Sequence, residues 1–497
     1  MSDVMRKLAG QTVIYGISTM LGKFLNFLLT PYLTRKLCEV DYGVVTHFYA
    51  IIPFLLVVLT MGLESGFFRF SGKASDEAEK KRVFATAWGT VGLAAVVFFI
   101  AVLCFNKPIA RAMTYEDYPS YIWITAAIIT VDALAALPFA RLREQGRSMV
   151  YVGLRLLSVV VNVLLCLFFF GALPSLADTA ALGWLYRPDM GPGYVLIANL
   201  VASVVTLLCL LPLNRGIVPR IDSRTARAML LYSLPLLLSG IAGTANEFID
   251  RQMLLWLLPG SPEEAKAQLG IYGAVLKLGV VMTLFTSMYR LAAEPFFLAE
   301  FKKEDFLKAN AQALKYFIIV SIMIFLVIAF YRDVVLLLLG RTFRQGGEIL
   351  PVVLLSNMFS GIVLNLSFWY KQTGATKYAL YVTCTGLVFT VVFNIMLVPV
   401  FGYVGAAVAR LICEFSMVVV SYFLNRRHYP VPYDMKGIGL YFLLGAALYG
   451  IGLACGGAAV WARYLIYFAL VVIFAVYAVR REGIDVAGLL KSVLRRR

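Results

Sequence analysis

Long apolar stretches recur along the whole chain and are separated by short polar connections. Each stretch holds roughly 20 residues, the length that an α-helix needs to cross a hydrocarbon layer about 30 Å thick. Lipid offers the backbone no hydrogen-bond partner, and the stretches lack strict alternation, so we predict helices and not the strands of a barrel. We predict fourteen spans, at residues 12–34, 44–66, 83–105, 120–140, 149–171, 193–213, 229–258, 270–292, 312–331, 348–370, 378–398, 403–424, 437–456 and 459–479.

The composition supports a membrane protein over a set of soluble domains. Of the 497 residues, 61% are hydrophobic and only 15% are charged, and the mean hydropathy is +0.82. A soluble chain of this length needs a charged shell that these residues are too few to build. We therefore expect an all-α integral membrane protein.

Lysine and arginine are distributed unevenly between alternate connections. If the N-terminus is cytoplasmic, the cytoplasmic segments hold 29 of the 45 basic residues, the opposite side holds 10, and the spans hold six. Basic loops are retained on the cytoplasmic side of a membrane. We therefore predict that both termini are cytoplasmic. The basic excess is then a topology signal and a contact with membrane lipids, and nucleic acid is disfavoured as a partner.

The connections lack the chemistry of an enzyme or a pump. The longest outer connection, residues 172–192, is rich in Gly, Pro and Ala, and the chain has only two histidines, His47 and His428. No zinc-protease, nucleotide-binding or serine-hydrolase motif is present, so we expect neither catalytic residues nor a metal site. The seven cysteines form no CxxC pair and indicate no disulfide framework.

The two halves of the chain share short sequence features. Tyr42-Gly43 opens the second predicted span and is followed by Glu64, and Tyr272-Gly273 opens the eighth and is followed by Glu294 at the same distance. The matches are six helices apart, which is an even number, so both copies have the same orientation. We predict two parallel six-helix lobes and two appended helices. The divisions are 1–225 for the N-terminal lobe, 226–430 for the C-terminal lobe and 431–497 for the last two helices and a basic tail.

Several of these segments resemble one family of transporters. They are Tyr42-Gly43, Gly62 to Ser65, Tyr232 to Pro235, Ile249 to Arg251, Gly270 to Gly273, Ala293 to Phe297 and Phe401 to Ala407. Together they are similar to the polysaccharide flippases of the multidrug/oligosaccharidyl-lipid/polysaccharide exporter superfamily. The resemblance covers about residues 5–435.

The resemblance implies a function and a location. It implies alternating access between two lobes and the movement of an undecaprenyl-pyrophosphate-linked oligosaccharide from the cytoplasmic to the periplasmic leaflet, for O-antigen, capsule or exopolysaccharide synthesis. The expected location is a bacterial inner membrane. We expect a monomer that contacts polysaccharide polymerase and assembly proteins. Three alternatives stay open: a multidrug or cation antiporter of the same superfamily, a peptidoglycan lipid flippase, and a membrane-embedded glycan polymerase or ligase.

Basic residues inside spans are the candidate contacts for a pyrophosphate. An ionisable group within a membrane is costly and normally faces a partner or a wet cavity. Arginine and lysine are the side chains that hold phosphate groups, and arginine adds bidentate geometry. The candidates are Lys23, Arg155, Arg251, Lys277, Arg290 and Arg410.

Some of these bases have an acidic neighbour on the same helix. Glu247 lies four residues before Arg251, and Glu414 lies four residues after Arg410. Side chains four apart share a helix face, so each pair can neutralise itself locally. Structural pairing is therefore the alternative interpretation of Arg251 and Arg410.

The other bases differ in their surroundings. Lys23, Arg155 and Lys277 have no such local partner, which favours a role in binding substrate. Arg290 lies four residues before Glu294 near a cytoplasmic end, where its side chain can extend to the membrane surface.

Acidic residues within spans are candidates for ion coupling or gating. A carboxylate in a transporter core can bind Na⁺ or cycle a proton. Asp132 has no basic neighbour on its helix before Arg141, which favours ion coupling. Glu64 and Glu294 lie at equivalent cytoplasmic ends of the second and eighth spans, which favours a gate. We predict no bound cofactor, and Na⁺ or H⁺ as the candidate coupling ions. The acidic candidates are Asp132, Glu64, Glu247, Asp250 and Glu294.

Overall fold

The protein is a bundle of α-helices. The computed structural model describes residues 3–176, 186–300, 306–375 and 377–483, and no strand occurs in these ranges. The side chains of residues 3–15, 17–19, 188, 239, 294–300, 371 and 372 lie outside the described set. The helices follow the apolar stretches of the sequence, which confirms the predicted all-α membrane fold.

The described part of the first half forms nine α-helices, three of them short. A π-helical turn, Phe168–Ala172, joins the seventh to the eighth. The helices are α1 (Asp3–Lys36), α2 (Glu39–Thr60), α3 (Leu63–Ser71), α4 (Glu77–Cys104), α5 (Asn106–Ala112), α6 (Ser120–Glu144), α7 (Ser148–Leu167), α8 (Leu173–Leu176) and α9 (Gly193–Leu210).

The second half forms eight further helices, followed by two at the C-terminal end. A 3₁₀ segment, Arg341–Ile349, precedes the fifteenth helix. The helices are α10 (Ser223–Leu257), α11 (Pro262–Leu278), α12 (Val280–Glu300), α13 (Phe306–Phe330), α14 (Arg332–Leu336), α15 (Leu350–Leu366), α16 (Phe368–Gln372), α17 (Lys377–His428), α18 (Met435–Ala454) and α19 (Val460–Glu482).

Two of the predicted spans are broken at a glycine, and two others are joined in one long helix. The second predicted span breaks where Met61 and Gly62 adopt positive φ angles of 50° and 66°, which separates α2 from α3. The eighth breaks at Gly279, where α11 and α12 meet at 45°. The long α17 contains two helices joined at Gly402, whose φ of 55° a residue with a side chain rarely adopts.

The number of helices is consistent with fourteen spans. Among the described residues, eleven helices are long and apolar enough to cross a membrane, and the bent pair α11 and α12 makes a twelfth. The helix α17 counts once among these although it holds two predicted spans. The first helix, of 34 residues, covers the remaining predicted span.

The two C-terminal helices are fixed to the second half by a polar contact. The Nζ of Lys315 on α13 lies 2.5 Å from a carboxylate oxygen of Glu482 on α19. The hydroxyl of Tyr441 on α18 donates to the same carboxylate at 2.8 Å. Both ends of the ion pair are largely buried, at 18% and 8% side-chain exposure. This contact ties α18 and α19 to α13, and Phe330 of α13 stacks on Tyr467 of α19 at 4.7 Å.

The two halves meet most closely along α2 and α11, near the end of the bundle that the charge count predicts to be periplasmic. We call this end the outer end. A Cβ atom at Gly43 would lie 1.9 Å from the carbonyl oxygen of Lys266, and one at Gly270 would lie 2.0 Å from that of Glu39. Only glycine allows the two backbones to approach so closely. The contact between α2 and α11 closes the outer end between the halves.

The variant Gly270→Ala is expected to lower the melting temperature of the purified protein. Its methyl group must push α11 away from Glu39, and overpacking of this kind costs roughly 1–3 kcal/mol. Gly153→Ala on α7 is the matched control, since its Cβ meets nothing within 4 Å and alanine favours a helix by about 0.5–1 kcal/mol over glycine. Thermal unfolding followed by size-exclusion chromatography compares the two. Equal melting temperatures would contradict the close contact.

Candidate functional site

A cavity of about 420 Å³ lies between the two halves. The first half contributes α1 and α2, and the second contributes α10, α11, α12, α15 and α17. Its walls combine basic, hydroxyl and amide groups with apolar side chains. The lining residues are Lys23, Asn26, Phe27, Leu29, Thr30, Leu33, Tyr42, Val45, Thr46, Tyr49, Glu247, Arg251, Gly273, Leu276, Lys277, Val280, Thr283, Asn357 and Arg410.

The cavity carries a strong excess of positive charge. Lys23, Arg251, Lys277 and Arg410 line it, and Glu247 is the acidic residue in the lining. Lys23 comes from the first half and the other three bases come from the second. The structure thus brings together four of the six basic candidates that the sequence indicates.

Three of the four bases have no acidic partner. No carboxylate oxygen of the described residues lies within 4 Å of the side-chain nitrogens of Lys23, Arg251 or Lys277. Lys23 donates to the hydroxyl of Ser287 on α12, at 3.4 Å, and the Nε of Arg251 is buried without a hydrogen-bond partner. Lys277 and Arg251 are close enough to repel each other. Cations gathered in this way favour an anion in the space between them.

Arg410 forms a buried ion pair across helices. Its guanidinium lies 3.2 Å from the carboxylate of Asp250 on α10, which is 1% exposed. The hydroxyl of Tyr272 on α11 donates to the same carboxylate oxygen at 2.8 Å. Asp250 is therefore a structural counter-charge for Arg410 in this conformation.

The predicted pairing within single helices is wrong. No ion pair joins Glu247 to Arg251, or Arg410 to Glu414, within the part of the chain that the structure describes. Arg410 reaches across to α10 instead, where Asp250 is 1% exposed and would be costly to bury without a cation. Tertiary packing here overrides the preference for neighbours four residues apart.

Arg155 and Asp132 lie outside the cavity lining. The guanidinium of Arg155 stacks over the ring of Phe139, with 4.2 Å to the ring centre, and it lies 5.7 Å from the ring centre of Tyr151. Asp132 faces Ser203 and is within electrostatic range of Arg155. These contacts are between α6, α7 and α9 of the first half, so both residues have structural partners there.

The remaining candidates lie toward the predicted cytoplasmic end. Arg290 is exposed on α12 and within electrostatic range of Lys23. Glu64 forms an ion pair with Arg143 at 2.7 Å. Both residues belong to the first half, so this contact does not join the halves as a gate would. The side chain of Glu294 lies outside the described residues.

Sequence reasoning missed the neutral polar groups of the cavity. Asn26, Thr46 and Tyr49 face it from the first half, and Thr283 and Asn357 face it from the second. Asparagine and threonine also occur in ordinary membrane-helix packing, so their position in a span gives no signal. Such groups can donate and accept hydrogen bonds with hydroxyl-rich molecules.

The fold and the cavity define a multi-pass membrane protein with a polar cavity between its two halves. A family model described as polysaccharide biosynthesis protein matches residues 8–301, more than half of the chain. The chain therefore belongs to this family, which confirms the resemblance to polysaccharide flippases. No curated protein matches it significantly in sequence.

Solved structures of membrane transport proteins share the fold. The lipid II flippase MurJ in an inward closed conformation superposes with a TM-score of 0.73 and 15% identity, over 95% of this chain and 100% of that one. An inward-facing multidrug resistance MATE transporter gives 0.65 with 15% identity, over 84% and 97%. An outward-facing MATE transporter gives 0.56 with 16% identity, over 86% and 98%.

Proposed function

We propose that the protein flips an undecaprenyl-pyrophosphate-linked oligosaccharide from the cytoplasmic to the periplasmic leaflet, for the synthesis of a surface polysaccharide. One observation carries the proposal: the cavity between the halves holds Lys23, Arg251 and Lys277, none of which forms an ion pair with a described residue, and Glu247 is the one acidic residue among the lining side chains. A pyrophosphate offers the several negative charges that these three cations lack. The hydroxyl and amide groups of the lining suit the sugar beside it.

The transport step follows from this geometry. The pyrophosphate binds to cations of both lobes, 1–225 and 226–430, and so draws the lobes together around it. The polar cavity shields the sugar from the hydrocarbon while the lipid tail stays in the bilayer. Closing at one end and opening at the other then moves the head group across.

The membrane potential supplies the driving force in this proposal. With the N-terminus and C-terminus in the cytoplasm, the anionic head group moves outward, which releases about 2.3 kcal/mol per charge for each 100 mV. Asp250 is held by Arg410 and Asp132 lies in the first lobe away from the cavity. We therefore propose transport without a coupling ion, and Na⁺ or H⁺ dependence would require other carboxylates.

A peptidoglycan lipid flippase is the second candidate. The chain superposes on the lipid II flippase MurJ over 95% of its length, and the head group of such a lipid also contains a pyrophosphate. The two candidates differ in the glycan and not in the anion. A multidrug antiporter is less suited to this cavity, since a cationic drug is repelled by four basic side chains.

The proposal is tested in proteoliposomes that contain a fluorescent polyprenyl-pyrophosphate oligosaccharide. We expect the wild-type protein to expose the lipid on the opposite leaflet, faster when an imposed potential favours outward movement of anions. Parallel vesicles carry a lipid II analogue, or a cationic drug, in place of the oligosaccharide lipid. Preference for the lipid II analogue would replace the first proposal by the second candidate. Transport of the drug alone would contradict both.

A further inference from the structure

A buried histidine joins the two halves at the outer end. His47 on α2 is 1% exposed, and its Nε2 lies 2.8 Å from the amide oxygen of Gln252 on α10. Its Nδ1 lies 2.9 Å from the hydroxyl of Tyr115, in the connection between α5 and α6. With a proton on Nε2, the ring donates to Gln252 and accepts the tyrosine hydroxyl. Both ring nitrogens are then satisfied in the neutral form.

Tyr115 continues the contact back to the second half. The Nζ of Lys266 on α11 lies over the tyrosine ring, 4.4 Å from its centre. The same ammonium donates to the carbonyl oxygen of Thr114 at 2.7 Å. Gln252, His47, Tyr115 and Lys266 thus form a chain of polar contacts that crosses between the halves twice. We name these four residues the outer clasp.

The outer clasp lies beside the closest approach of the backbones. Lys266 carries the carbonyl oxygen that a Cβ at Gly43 would meet, and His47 follows Gly43 by one helical turn. Further along the outer end, the backbone N–H of Gly340 donates to the hydroxyl of Thr34 at 3.1 Å.

Polar contacts of this kind suit a closure that must open again. Hydrogen bonds are directional, and each partner can exchange its bond for one to water when the halves separate. Apolar side chains of both halves, among them Tyr42 of α2 and Tyr272 of α11, also pack in one core cluster, and the hydrogen bonds add directional contacts to this packing. Burial of His47 favours the closed form, because a ring nitrogen that loses its hydrogen-bond partner without gaining one from water raises the free energy of the protein.

We propose that the outer clasp holds the outer end closed and is the set of contacts that breaks when the protein opens outward. The proposal depends on the alternating access of the proposed function, but its test needs no substrate. Gln252 and His47 form one crossing and Lys266 and Tyr115 form the other. The hydrogen bond between His47 and Tyr115 links the two crossings. Loss of either crossing therefore weakens the other.

The test is amide hydrogen exchange on the full-length protein in lipid nanodiscs, without substrate. The variants are Gln252→Leu, Tyr115→Phe and Lys266→Met, each of which keeps the approximate size of the side chain. Tyr118→Phe is the matched control, because Tyr118 is 41% exposed and stacks on Tyr121. We expect the segments 39–47 and 262–275 to exchange about tenfold faster in the three variants, which corresponds to 1.4 kcal/mol. The control exchanges at the wild-type rate.

Two results would overturn the proposal. Unchanged exchange of both segments in all three variants would show that the outer clasp does not determine closure. A uniform rise that includes segment 435–441 of α18, at the opposite end of the bundle, would show general loosening instead. Tyr115→Phe removes one hydroxyl and keeps the ring under Lys266, so at least this variant retains the fold. The exchange rates do not depend on the lipid assay. A negative lipid assay would contradict the proposed function and leave the test of the outer clasp intact.

Discussion

The double variant Arg251→Gln/Lys277→Gln is expected to abolish translocation of a polyprenyl-pyrophosphate oligosaccharide. A hydrogen bond to a charged group contributes about 1.5–3 kcal/mol, and 1.4 kcal/mol corresponds to a factor of ten in affinity. Each single variant should therefore lower the affinity for the lipid by about tenfold to a hundredfold, and the double variant by the product. Initial rates of leaflet exposure in proteoliposomes, measured against lipid concentration, give these values.

Thermal stability separates loss of binding from loss of folding. Lys277 and Arg251 repel each other and have no acidic partner within the described residues. Removing their charges relieves the repulsion, so the double variant should melt at the same temperature as the wild type or higher. A protein that is more stable and yet inactive is the expected sign of a binding site. A large fall in melting temperature would instead show that Arg251 and Lys277 stabilise the fold.

Arg155→Gln is the matched control for this experiment. It also removes a basic group from within a span, but the structure places Arg155 on Phe139 and away from the cavity. We expect translocation at a rate close to that of the wild type. Loss of transport in Arg155→Gln, together with normal transport in the double variant, would contradict the site.

The comparison of Lys23 with Arg155 shows what the sequence can and cannot predict about the site. Both lie within predicted spans and lack an acidic neighbour, so the sequence treats them alike. Only Lys23 faces the cavity. The difference is the rotation of each helix about its axis, which depends on packing against neighbouring helices. A hydrophobic stretch predicts that a helix crosses the membrane and does not predict which face meets the cavity.

The fold was predictable because the membrane constrains it. Stretches such as 83–105 and 120–140 correspond to α4 and α6 with differences of a few residues at their ends. The breaks at Gly62 and Gly279 were not predicted, since glycine in a membrane helix also serves close packing, whereas the break at Gly402 falls between the predicted spans 378–398 and 403–424. The outer clasp was not predicted either. His47 and Gln252 are 205 residues apart, and no local pattern links them.

The ion pair of Arg410 with Asp250 gives the second large effect that we expect. Removing one partner of a buried pair leaves an uncompensated charge, at a cost of about 3–5 kcal/mol. Asp250 is 1% exposed and is held by Arg410 and Tyr272. Both Asp250→Asn and Arg410→Met should therefore lower the melting temperature strongly, with the larger fall in Arg410→Met because it leaves the carboxylate behind.

The double variant Asp250→Asn/Arg410→Met should recover part of the lost stability, because the carboxylate and the guanidinium are removed together, although Glu414 and Glu247 then lose the positive charge of Arg410. Asp333→Asn is the matched control. It breaks the ion pair with Arg463, whose partners are 20% and 53% exposed, and exposed pairs contribute about 0–1 kcal/mol. Equal effects of Asp250→Asn and Asp333→Asn on the melting temperature would contradict the buried pair. Arg410 is also one of four cations in the cavity, so the double variant should regain part of its stability while its translocation rate stays low. That separation would show that one arginine serves both the packing of the second lobe and the charge of the cavity.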